Sequence, residues 1–286
     1  MPRLPILPTA LLLILAVSPA AADPSKANPG GEISAPSIAA DPAKPDKPAR
    51  KAYLSDAQAP NMVAILPPPP SGHSAAEAAD KAAYQATRTH EGTPRWELAT
   101  NDVAEGTAAL LEDFACVLGQ RLDTARVPTL MTLLDRARLD VVRATREPKL
   151  HYRRLRPFVG NDAPICVARD PKLADSFSYP SGHSSLGWTY AMIMASLIPE
   201  KATPFLVRGR LYGESRVVCG VHWLSDVDAA RINASSVFAA LQGDAAYRAD
   251  AERARLELVK ALAAEGTKPE PAICAREEAA ARQSLF

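Results

Sequence analysis

Proline is spread very unevenly along this 286-residue chain: fifteen of its 26 prolines fall within the first 70 residues. Each proline fixes one backbone dihedral and removes one donor, so a stretch this rich in proline cannot sustain a helix or an interior strand. Residues 23–61 pair those prolines with Ala, Lys and Asp and hold almost no large apolar side chains. Such a segment buries too little surface to offset its ordering entropy, which predicts a disordered linker. The run Pro67–Pro70 reads as a polyproline II strap leading into the folded part.

Beyond the strap the pattern turns helical. Ser74-Ala-Ala-Glu77 is a capping box ahead of a helix running to about Thr89, and Thr93-Pro94 sets a cap and a first-turn proline before Trp96. Leu110, Leu111, Phe114 and Leu118 recur at helical spacing, as do Leu130, Leu133, Leu134 and Val141. Segments Ser184–Leu197, Pro204–Arg216, Asp226–Leu241 and Asp244–Ala264 are Ala-rich and lack strand alternation. The reading is all-α: one helical domain over residues 62–265 with a helix-bundle core, followed by a charged tail, 266–286, that frays and is only partly tethered. No internal repeat is present.

Arg3, the apolar run Ala10–Val17 and the small residues Ala20-Ala21-Ala22 have the order of an export signal covering residues 1–22. The run is too short to span about 30 Å of hydrocarbon, and no other stretch reaches about 18 apolar residues. The expected mature protein is soluble and periplasmic or secreted, cleaved near Ala22, with no membrane span. Lys plus Arg total 33 against 32 Asp plus Glu. That balance offers no basic field for nucleic acid. The four cysteines, Cys116, Cys166, Cys219 and Cys274, lack zinc-site spacing. In an oxidising compartment they read as two disulfides with three connectivities open, or as buried thiols.

Three segments concentrate polar residues in apolar surroundings: Lys149–Pro157, Ser178–His183 and Ser215–Asp226. Alone, each reads as a solvated helix end, a turn or a local pair. Together they are complementary. Lys149, Arg156 and Arg216 are three cations able to surround a dianion. Ser181-Gly182-His183 precedes an apolar helix expected to begin near Ser184, so its free amides form an anion site that Gly182 lets the ligand approach. His222 and Asp226 lie one helical turn apart, so Asp226 can hold one ring nitrogen and leave the other free as a nucleophile. His183 is placed to protonate a leaving oxygen.

The spacing Lys-x6-Arg-Pro, then Pro-Ser-Gly-His, then Ser-Arg-x5-His-x3-Asp resembles the type 2 phosphatidic acid phosphatase and vanadium haloperoxidase superfamily. Ser178–His183 and Cys219–Asp226 look most like its class A bacterial nonspecific acid phosphatases, as do Leu66–Pro70 and Gly92–Trp96. The resemblance covers about residues 62 to 250. It implies an all-helical fold, a site without metal or other cofactor, and hydrolysis of small phosphomonoesters through a phosphohistidine. It assigns His222 as nucleophile, Asp226 as its orienter, and His183 as acid then base. By the same resemblance, Lys149, Arg156, Ser181, Gly182 and Arg216 are expected to bind the phosphoryl oxygens. It also admits a homodimer. Phe177 and Ser184 depart from the usual Gly and Thr of that signature; Ser184 keeps the hydroxyl, whereas Phe177 adds bulk beside the phosphate loop. The alternatives are a vanadate-dependent haloperoxidase and a phosphate-binding protein without turnover.

If Arg156, Arg216 and His222 converge on one phosphate, Cys166 and Cys219 come close enough to pair. Cys116 is then left for Cys274, which would pin the C-terminal segment. The other reading keeps Cys219 as a reduced core residue.

Overall fold

The computed structural model describes residues 51–283 and 285. The expected export signal, its cleavage near Ala22 and the linker from 23 to 50 lie outside the described residues. The packed chain begins before the expected boundary at 62. Tyr53 and Leu54 are buried, and their amides donate to the Asp140 carboxylate at 2.9 and 3.2 Å. The Tyr53 hydroxyl donates to Asp250 at 2.6 Å, and the Arg136 guanidinium lies 3.7 Å from the centre of its ring. Two large side chains with a buried carboxylate waiting for their backbone are enough to anchor a segment whose average composition predicts a linker.

Among the described residues there are no strands. The helices are α1 (Met62–Ile65), α2 (Ala75–Thr87), α3 (Pro94–Asn101), α4 (Thr107–Glu112), α5 (Ala115–Leu118) and α6 (Pro128–Tyr152). There follow α7 (Pro171–Asp175), α8 (Gly182–Leu197), α9 (Ala202–Val218), α10 (Leu224–Gly243), α11 (Ala245–Ala263) and α12 (Pro271–Ala281). The caps read from sequence are in place. Ser74 accepts from the Glu77 amide at 3.2 Å, and Pro94 opens α3 behind Thr93. No helix among the described residues is long and apolar enough to cross a membrane.

The core lies between α6, α8, α9, α10 and α11. Leu130, Leu133, Leu134, Ala137, Val141 and Ala144 place the buried stripe of α6 at helical spacing. The helix stops at Tyr152 because Arg153 adopts a left-handed conformation, φ 49°, which turns the chain sharply out of the helix. Helices α8 and α9 pack backbone to backbone. A Cβ on Gly187 would sit 2.3 Å from the Tyr212 ring, and one on Gly209 would sit 2.5 Å from the Ala191 methyl. Only glycine allows that approach. The strap is held at its start: the hydroxyls of Tyr152 and Tyr179 donate to the carbonyls of Leu66 and Pro67 at 3.2 and 2.6 Å.

Within the tail expected to fray, residues Pro271–Ala281 form a helix. Helix α12 packs on α3 and α9, buries Glu277 against Arg208 and is tied to α5 by Cys116–Cys274. A second disulfide joins Cys166 to Cys219, with Cα atoms 4.7 Å apart.

Candidate active site

Backbone hydrogen bonds sew the three polar segments together. The Ser178 amide donates to the Arg154 carbonyl at 2.8 Å, so the second segment runs beside the first. The Ser181 amide donates to the Asp226 carbonyl at 3.0 Å, which joins the second to the third. The Trp223 indole donates to the Leu155 carbonyl at 2.9 Å, closing the ring of contacts. Behind them, the Cys166 amide donates to the Cys219 carbonyl at 3.0 Å beside the disulfide.

His222 stands at the centre and is 3% exposed. Its Nδ1 lies 3.2 Å from Asp226 Oδ2, and its Nε2 lies 3.0 Å from Arg156 Nη1. A guanidinium can only donate, so Nε2 presents its lone pair and Nδ1 carries the proton toward Asp226. Burial, then the charges of Arg156, Lys149 and Arg216, push the His222 pKa well below its ordinary value. That shift favours the neutral imidazole, whose Nε2 lone pair is the atom left to react.

The cations are held by neutral acceptors rather than cancelled by carboxylates. Arg156 donates through Nε to the Ser176 carbonyl at 2.9 Å, through Nη2 to the Ser176 hydroxyl at 2.8 Å, and through Nη1 to the Val221 carbonyl at 2.8 Å. Lys149 Nζ donates to the Phe177 carbonyl. Arg216 Nη1 donates to the Asp102 carbonyl at 3.2 Å, while its buried Nε has no hydrogen-bond partner among the described residues. Burial, with Arg156 adding to it, brings the Lys149 pKa down to about 7, and burial also lowers Arg156, to about 10. Positive charge this crowded and this dry is stabilised by an anion.

Helix α8 starts at Gly182, two residues earlier than its sequence suggests, so His183 sits in its first turn. Ser181 is the cap: its hydroxyl accepts from the Ser184 amide at 3.3 Å and the Ser184 hydroxyl at 2.9 Å. The Ser181 amide is engaged with Asp226, so the amides of Gly182 and His183 are the first-turn donors with no intrahelical acceptor. His183 Nε2 lies 3.4 Å from the Val103 carbonyl and 3.3 Å from Glu105, and its ring stacks on Tyr212. Burial, then Arg216, depress its pKa to about 3.

The structure thus brings together all eight residues expected from sequence. Sequence reasoning missed the residues behind them. Arg154 Nη1 donates to Asp226 Oδ1 at 2.7 Å, and Arg154 Nη2 to Asp80 at 2.6 Å. Arg208, buried on α9, gathers Asp102, Asp113 and Glu277 at 2.6, 3.1 and 2.8 Å and so braces the turn that holds Arg216. Arg154 is in the first polar segment, but nothing local separates it from Arg153 beside it. Asp80 looks like any solvated acid on a polar helix.

Residues 137–244 match the PAP2 superfamily. An acid phosphatase of Zymomonas mobilis is 44% identical over 75% of this chain and 81% of that protein. Non-specific acid phosphatases of Providencia stuartii and Salmonella typhimurium are 36% and 34% identical, over 73% and 72% of this chain and 85% and 83% of theirs. With similarity of that extent spanning all three polar segments, the chain belongs to the PAP2 superfamily, among its acid phosphatases.

Proposed function

We propose that the protein is an exported, metal-independent acid phosphatase that hydrolyses small phosphomonoesters of broad type through a phosphohistidine on His222. The observation that carries this reading is the poise of His222. Its Nδ1 is held by Asp226 and its Nε2 faces a cage of Lys149, Arg156 and Arg216.

A phosphomonoester dianion is expected to take its equatorial oxygens to those three cations and to the Gly182 and His183 amides. His222 Nε2 then attacks in line: the N–P bond forms, the ester P–O bond breaks, and the leaving oxygen takes the electron pair. His183 supplies the proton to that oxygen. In the second half, His183 takes a proton from water, the water oxygen attacks phosphorus, and the N–P electron pair returns to Nε2. Donors already arranged around the developing charge are the main source of rate in such transfers. The cage supplies its own positive charge, so the chemistry does not call for a metal ion.

His222→Ala is expected to lose activity by several orders of magnitude while unfolding at the wild-type temperature, with p-nitrophenyl phosphate as substrate and chelator in excess. Quenched wild-type protein should carry acid-labile phosphate on His222. Near-wild-type turnover in the variant, or dependence of the wild type on added metal, would overturn the reading. N-terminal sequencing of the exported protein checks cleavage near Ala22.

A further inference from the structure

The cation cage and the His222–Asp226 pair account for the front of the site, but a second set of buried charges lies behind it. Asp226 is fully buried, and its two oxygens take three kinds of donor. Oδ2 accepts from His222 Nδ1 and from the Trp223 amide, at 3.2 and 2.9 Å, and Oδ1 accepts from Arg154 Nη1 at 2.7 Å. Arg154 lies just past the end of α6, and its side chain is 11% exposed. Its other fork reaches Asp80 of α2, an acid 2% exposed. Asp80 in turn accepts from the amide and hydroxyl of Ser225 at 2.8 and 2.6 Å, and Arg154 Nη1 also donates to that hydroxyl at 2.7 Å. Charges therefore alternate from Asp80 through Arg154 to Asp226, which holds the neutral His222, and three sequence-distant elements contribute them.

We propose that Arg154 and Asp80 are positioning residues for the nucleophile, keeping Asp226 ionised and turned so that one oxygen always receives His222 Nδ1–H. The proposal rests on the reading of His222 as the attacking group. Its physical basis is the cost of a buried charge. A carboxylate with no water around it takes up a proton or rotates unless a cation and directed donors hold it. Burial raises the Asp226 pKa, and Arg154 is the largest influence opposing that rise, ahead of the Trp223 amide and Lys149. Arg154 alone would also draw the Asp226 charge away from the imidazole. Asp80 offsets this, so Asp226 remains available to support the positive charge that forms on His222 when Nε2 bonds to phosphorus. A guanidinium holds two acids in fixed directions because its fork is planar and rigid; an ammonium is a point charge on a flexible stem and does not fix those directions. The groups facing the Asp226–His222 pair from the packed elements are Lys149, Arg154, Arg156, His183 and Arg216, with Asp80 behind Arg154.

The test compares Arg154→Met, Arg154→Lys and the isosteric Asp80→Asn in the full exported protein, each checked by thermal unfolding. The expectation for Arg154→Met is a fall in kcat of roughly 100-fold, as for a misplaced nucleophile, with KM within about twofold. The acid limb of its kcat–pH profile should move to higher pH, because Asp226 is then harder to ionise and the nearby imidazole has lost one repelling cation. Arg154→Lys should recover part of kcat, and Asp80→Asn should lower kcat less than Arg154→Met. Nitrogen NMR of the His222 ring, which needs no turnover, should show the Nδ1–H tautomer in wild type and a mixture in the variants. Folded Arg154→Met and Asp80→Asn proteins with wild-type pH limbs and an unchanged His222 tautomer would overturn the proposal, while leaving the nucleophile to be judged by His222→Ala. If Arg154→Met does not fold, Asp80→Asn decides by the same two readouts.

Discussion

At the scale of single residues, the two histidines are tuned toward the same neutral state for different tasks. In the proposed mechanism His222 attacks unprotonated, and burial together with the cations favours that state. In the same mechanism His183 gives a proton to the leaving oxygen, yet burial and Arg216 bring its pKa down to about 3. A bound dianion is expected to resolve this. Its two negative charges would offset the cations that depress His183 and favour its protonated form. Sulfate, which stays dianionic at mildly acid pH, is therefore expected to bind with uptake of about one proton per site, since its linkage follows the rise of one histidine pKa. Titration calorimetry in buffers of different ionisation enthalpy measures this number. Binding with no proton uptake, or with release, would show that His183 is not the group that titrates. His183→Ala should lose the uptake while retaining the anion.

At the scale of elements, the two disulfides do different work although their chemistry is the same. Cys116–Cys274 spans 158 residues and ties α12, which carries Glu277 to Arg208, to α5. Cys166–Cys219 spans 53 residues and clamps the turn between Arg216 and His222. In the chain-entropy account the first closure contributes roughly 5 kcal/mol and the second roughly 4 kcal/mol. Replacing Cys116 and Cys274 together by Ser should lower the unfolding temperature by many degrees and leave kcat at 25 °C within a few-fold. Replacing Cys166 and Cys219 should lower kcat by 10-fold or more as well, because the segment carrying both Arg216 and His222 loses its clamp. Equal kinetic effects from the two pairs would contradict this division.

At the scale of the whole molecule, buried carboxylates outside the site tie stability to pH. Asp113 shares Arg208 with Asp102 and Glu277, and burial pushes its pKa up to about 8, with Arg208 pulling it back. A carboxyl whose pKa is higher in the folded state than in the unfolded chain binds a proton on folding between roughly pH 4 and pH 8. Its contribution to stability is therefore present below about pH 4 and is lost as pH rises toward 8. Asp113→Asn mimics the protonated form. Its unfolding free energy should match wild type near pH 4 and exceed it progressively up to about pH 8. Urea titrations at several pH values give the comparison, and a difference independent of pH would show that Asp113 is ionised throughout.

What the sequence settled on its own was whatever depends on local order and short spacing. The helical periodicity of Leu130, Leu133, Leu134 and Val141, the cap at Ser74, the Pro94 start of α3, and the spacing from His222 to Asp226 are properties of a few consecutive turns. All eight candidate site residues were legible because they sit in three compact segments with complementary chemistry. What only the tertiary structure decided were contacts between residues with no local distinction. Asp80 and Arg154 meet across 74 residues, and Arg208 meets Glu277 across 69. Tyr53 and Leu54 are anchored because Asp140 of α6 happens to face their amides. A buried charge chooses its partner from whatever the packed helices bring within about 3 Å, and that choice is made after the helices form, by desolvation rather than by pattern.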